Sequence, residues 1–132
     1  MSVPVIFNRS HLHRQRQRAA AQLATYRFLH DWCEQEILDR LTLIRRDFPV
    51  TAFLSSRASP SFRQSLEKLK NVSENKITEL SMAEVIDLDT ASTDLIISIF
   101  DLHTINDLPG VLVQIRRALK PDGLFIACLP GG

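Results

Sequence analysis

Glycine and cysteine are scarce in this chain and a long apolar run is missing, and each shortage removes a class of protein. There are four glycines among 132 residues and no Gly-x-Ser-x-Gly segment. Without that strained elbow, Ser55 and Ser56 read as a polar turn rather than an acyl-transfer nucleophile. The two cysteines, Cys33 and Cys128, stand far apart and form no Cys-x-x-Cys pair, which argues against both a zinc site and a disulfide framework. Free thiols suit a reducing compartment, and a cytoplasmic location is expected. No apolar stretch approaches the ~18 residues of a membrane helix, and the start lacks the apolar block of a secretory signal. A net charge of +1 gives no global attraction to nucleic acid or membrane. No internal repeat or low-complexity tract is present.

Histidine is also sparse. His11 and His13, with His30, are the only hint of a metal, but residues two apart on a helix point to different sides and no acid or cysteine has ligand spacing nearby. No metal site is expected.

What is present alternates between helical and strand-like patterns. Asn8 or Ser10 is placed to cap a helix through an Arg-rich segment (Arg9, Arg14, Arg16, Arg18) to about Ala24. Such an acid-poor start shares its composition with organelle transit peptides, but a basic helix that stays on the protein is the preferred reading. Arg14 and Arg18 share a face of it and suit an acidic protein, RNA phosphate or anionic lipid, with a mobile basic terminus that has no partner as an equal reading, and no aromatics interleave to support nucleic-acid stacking. A second helix is predicted over Phe28–Arg46, with Leu29, Trp32, Cys33, Ile37, Leu41 and Ile44 as its apolar stripe. Glu34, Glu36 and Asp39 form its solvated face, and Arg45 and Arg46 its basic last turn. Phe48-Pro49 ends it.

Val50–Ser55 reads as a strand, Ser59-Pro60 as the start of a helix to about Lys70, Asn71–Asn75 as a polar turn and Lys76–Leu80 as a weak strand. Leu95–Phe100 has the nearly continuous apolar pattern of a parallel strand covered on both faces. Asn106 or Asp107 caps a helix with Pro109 in its first turn. Leu108, Val111, Leu112, Ile115 and Leu119 give that helix one stripe. Pro121-Asp122-Gly123 is expected to turn, with glycine supplying the unusual angles, into a strand over Leu124–Leu129. These lengths make a right-handed βαβ unit, and the whole argues for an α/β protein with an open, mostly parallel sheet of about four strands. One domain is expected, with residues 1–47 helical and residues 48–132 the α/β core.

Several segments together resemble class I S-adenosylmethionine-dependent methyltransferases. They are Asp94-Leu95-Ile96-Ile97-Ser98, Leu102-His103, Asn106-Asp107-Leu108-Pro109, Leu119-Lys120-Pro121-Asp122-Gly123-Leu124-Phe125 and Gly131-Gly132. The nearest group is the bacterial relatives of the mitochondrial complex I assembly methyltransferase-like factor and of the malonyl-carrier-protein methyltransferase of biotin synthesis. Phe7-Asn8-Arg9, Arg18-Ala19-Ala20-Ala21, Phe28-Leu29, Asp39-Arg40-Leu41 and Arg46-Asp47-Phe48-Pro49 resemble that group's leading helices in the same order. The resemblance implies a Rossmann-like fold, S-adenosylmethionine as cofactor and a methyl acceptor that the sequence does not name.

The centre departs from the family pattern. Where the family carries an acid and a Gly-x-Gly-x-Gly loop, this chain has Phe53 in place of the acid, and Ser55, Arg57 and Ser59 in place of the glycines. Only glycine permits the backbone to approach a cofactor so closely. The segment before the fourth family strand is short by one βα unit. Glu84 is the carboxylate nearest the adenine position, which itself falls at Met82. The sixth and seventh strands are absent from this sequence. By resemblance the cofactor residues are Leu54, Ser55, Ser56, Arg57, Ser59, Glu84, Phe100 and His103. The expected function is thus a methyltransferase-like protein impaired in cofactor binding. The alternative is a non-catalytic binding or assembly module, or a truncated remnant, with homodimer formation through an exposed edge strand at Leu124–Leu129.

Overall fold

The computed structural model of the protein describes residues 3, 5, 6, 8, 10, 11, 14, 15, 28–54, 59–70, 72–78, 80, 81, 83–100 and 102–129. Its elements are α1 (Phe28–Thr42), β1 (Val50–Phe53), α2 (Pro60–Leu69), β2 (Glu74–Ile77), β3 (Thr93–Ile99), a 3-10 turn (Leu102–Thr104), α3 (Leu108–Ala118) and β4 (Leu119–Cys128). The strands form one sheet of order β2-β1-β3-β4 with every pair parallel.

The centre of the sheet follows from the apolar run of β3, which feeds two cores. Leu95, Ile97 and Ile99 point to one face, with Cys33, Ile37 and Leu41 of α1, Phe53, and Phe62 and Leu66 of α2. Ile96 points to the other, with Ala52, Leu54, Ile86 and the inner residues Val111, Ile115 and Ala118 of α3. Between β2 and β3 the described residues hold neither helix nor strand. That loop instead lays Leu80, Ile86 and Leu88 on the second core. The arrangement is the 2-1-4-5 part of a doubly wound sheet, with no third strand among the described residues, as the short spacing before Leu95 implied.

Local chemistry sets the helix ends. Ser59 caps α2, its hydroxyl accepting from the Phe62 amide at 3.1 Å, and Pro60 opens the first turn. Asp107 caps α3 by accepting from the Gly110 amide at 3.1 Å. Asn106 instead accepts the Ile6 amide at 2.7 Å, which ties the amino-terminal segment to this corner. Asn8 accepts the His11 amide at 3.0 Å, and Ser10, His11, Arg14 and Gln15 are helical. The rest of the Arg-rich segment, including Arg9, Arg16 and Arg18, lies outside the described residues.

Three expectations are corrected. First, α1 ends at Thr42, so Arg45 and Arg46 fall beyond it, and Arg46 lies over the Phe48 ring at 5.3 Å. Its inner face is His30, Cys33, Glu34, Ile37 and Leu41, while Leu29 and Trp32 are exposed. The helix is rotated so that a carboxyl, Glu34, replaces part of the apolar stripe. Second, β2 begins earlier than the weak strand predicted, because Glu74 and Asn75 already pair with Val50 and Thr51. Third, Lys120-Pro121-Asp122-Gly123 is no free turn but an irregularity inside β4, where the register passes from Thr93↔Leu119 to Leu95↔Leu124. No glycine in the described residues has positive φ. Gly123 is required by space instead, since a Cβ there would come within 2.9 Å of Leu119 Cβ and 3.0 Å of the Lys120 carbonyl. Asp94 steadies the irregularity, accepting the Val50 amide at 2.9 Å and meeting Lys120 at 3.3 Å.

Candidate functional site

In an open α/β sheet ligands bind outside the carboxyl ends of the strands where the winding reverses. Here that point lies between β1 and β3. Leu54 follows β1, buried with its amide donating to the Ile97 carbonyl at 3.0 Å, and Ser59 stands at the head of α2. Phe100 follows β3 in a left-handed conformation (φ 58°) and donates its amide to the Cys128 carbonyl at 2.7 Å. A bulky residue with positive φ is rare, and such strain gathers at functional edges.

Helix α1 forms the third wall. The His30 ring meets Phe100 edge-on, with centroids 4.9 Å apart. Glu34, only 5% exposed, takes the Ser59 amide on one carboxyl oxygen at 2.8 Å and the Ser59 hydroxyl on the other at 2.9 Å. This overturns the expectation that Glu34 faces solvent. A readable signal existed: His30, Cys33, Glu34, Ile37 and Leu41 recur at the steps of an inward stripe.

Glu84 is elsewhere. It has φ 58°, is buried, and its two carboxyl oxygens accept the Asn106 and Asp107 amides at 2.7 and 3.0 Å. Gln114 closes the same corner, donating to the Glu84 carbonyl at 2.9 Å and accepting from the Ile86 amide at 2.8 Å. Glu84 therefore braces the start of α3. The structure brings Leu54, Ser59 and Phe100 to one edge, and puts the His103 backbone in the 3-10 turn that follows β3. Ser55, Ser56, Arg57 and Met82 lie outside the described residues.

A family model described as a methyltransferase domain matches residues 50–127, which takes in the whole sheet but for the last residue of β4. The chain belongs to the methyltransferase-domain family. Proteins of this family generally bind S-adenosylmethionine. The human protein named "Arginine-hydroxylase NDUFAF5, mitochondrial" is 33% identical over 148 aligned positions, which cover 96% of this chain and 42% of that protein. Its Danio rerio counterpart is 28% identical, over 96% of this chain and 46% of that one. The chain thus spans less than half the length of these relatives. Since 96% of 132 residues is about 127, roughly 20 of the 148 aligned positions have no counterpart in this chain. A solved structure similar in fold is the complex between the Haloferax volcanii Trm112 methyltransferase activator and a methyltransferase. It has a TM-score of 0.55 at 17% identity, covering 76% of this chain and 57% of that one.

Proposed function

We propose that the chain is a methyltransferase-fold protein whose S-adenosylmethionine site is impaired and which works through contact with another protein. The observation that carries this reading is the seating of Glu34 on Ser59. A helix head after the first strand is where the fold offers its amides to a ligand, and here the chain's own carboxyl takes the Ser59 amide and hydroxyl. By resemblance Leu54, Ser55, Ser56, Arg57 and Ser59 would face the methionine and ribose of the cofactor. Glu84 would meet the adenine, and Phe100 and His103 the methyl end. The described residues do not suit those contacts. Ser59 is engaged by Glu34, Phe53 is fully buried where the family has an acid, and Glu84 is engaged by Asn106 and Asp107.

A protein as the partner is supported by the fold neighbour, which was solved with a protein activator. A second copy of this chain is the alternative, favoured by β4, which has β3 as its sole strand neighbour among the described residues. Calorimetric titration with S-adenosylhomocysteine tests the cofactor reading. No heat is expected at millimolar ligand, and binding at micromolar strength would restore a cofactor-dependent enzyme.

A further inference from the structure

Cys33 and Cys128 are far apart in sequence yet meet in the fold. Cys33 is 2% exposed in the core beneath α1, and Cys128, the last residue of β4, packs against that core while keeping partial exposure. The backbone explains the meeting. Cys128 lies opposite Ile99 at the end of β3 and holds the Phe100 amide through its carbonyl. One turn before Cys33 on the same helix face, His30 touches Phe100. Burial, followed by the Cys128 thiol within hydrogen-bonding reach, pushes the Cys33 thiol up to about 12.

We propose that Cys33 and Cys128 form a modification site, a reversible disulfide that fastens α1 to the carboxyl end of β4. The oxidant is a low-molecular-weight disulfide such as oxidised glutathione. Cys128, the accessible sulfur, attacks as thiolate, breaking the small disulfide and releasing one glutathione thiolate. The Cys33 thiol, held protonated by its burial, then gives up its proton, and its sulfur attacks Cys128 Sγ in the mixed disulfide in a slow second step that releases the second glutathione. The two protein thiols lose two electrons, the small disulfide becomes two thiols, and the protein's two protons end on them. Because His30 and Phe100 flank the pair, the bond holds the α1 wall against the strand ends.

The natively folded chain is incubated with oxidised glutathione and followed by intact mass and peptide mapping. The expected product is two hydrogens lighter than the reduced chain, joins the Cys33 and Cys128 peptides and reverts with dithiothreitol. A loop of this length should raise the melting temperature by roughly 10 °C. Cys33→Ser should stop at one glutathione adduct, on Cys128. Separate adducts on both cysteines of the unaltered chain, or a bridge that forms only in denaturant, would overturn the proposal.

Discussion

Glu84 combines two features that make opposite contributions to stability. Its left-handed backbone (φ 58°) costs on the order of 1–2 kcal/mol for a residue with a Cβ, while its carboxyl satisfies the Asn106 and Asp107 amides. Hydrogen bonds to such a group are worth about 1.5–3 kcal/mol each, so the bonds win. Glu84→Ala loses the bonds and keeps the strain, whereas Glu84→Gly loses both. Urea denaturation should therefore find the alanine variant destabilised by about 3–6 kcal/mol and the glycine variant by about 1 kcal/mol less. Equal losses would show that the backbone is not strained. Ala91 has the strain without the compensation: φ is 51°, its side chain is exposed, and only its amide is engaged, donating to the Arg117 carbonyl at 2.8 Å. Ala91→Gly keeps that bond, and a thermal melt should show a gain of about 0.5–1 kcal/mol after the greater freedom of glycine in the unfolded chain is subtracted. A lower melting temperature would refute it.

Among the elements, α3 offers the sharpest test. Glycine inside a helix usually costs about 1 kcal/mol against alanine, so Gly110→Ala would ordinarily stabilise. Here the Asp107 cap folds back over Gly110, and a Cβ would collide with its carboxyl. The cap is worth about 1 kcal/mol, so displacing it should cancel that gain and leave Gly110→Ala close to neutral; a variant stabilised by the full ~1 kcal/mol in chemical denaturation would show that the cap moves aside freely. Asp107 and Pro109 made this helix legible in the sequence, as Ser59 and Pro60 did for α2, because caps act over a few residues. The apolar run of β3 was legible for a similar reason, since burial on both faces leaves a continuous signature. The inner face of α1 was legible in Cys33, Ile37 and Leu41, whereas His30 and Glu34 join it through distant Phe100 and Ser59. Of the site, Leu54, Ser59 and Phe100 were placed at the strand ends through the resemblance. Its carboxyl assigns Glu34 to the solvated face, although its spacing with Cys33, Ile37 and Leu41 fits the inward stripe, and its bonds to Ser59 decide between the two.

At the scale of the whole molecule, the sheet is asymmetric in how its edges are protected. β2 is short and carries Glu74 and Lys76, which pair at 3.6 Å, and short charged edges resist further pairing. β4 is ten residues long and apolar from Leu124 to Cys128, with both faces half-buried and only β3 beside it among the described residues. A long apolar edge with unpaired amides is a template for another strand. If the occupant is a second copy, a closed two-fold dimer places the same edge against itself, so the two β4 strands run antiparallel. The amides of residues 119–128 that point away from β3 would then gain partners in the dimer, while those facing β3 are already paired. Hydrogen exchange at rising protein concentration should slow along alternate residues of β4 and leave β2 unchanged, with sedimentation reporting a species of twice the chain mass. Exchange along β4 that does not vary with concentration, together with a monomer in sedimentation, would leave the edge to a different partner and remove the homodimer as the second reading.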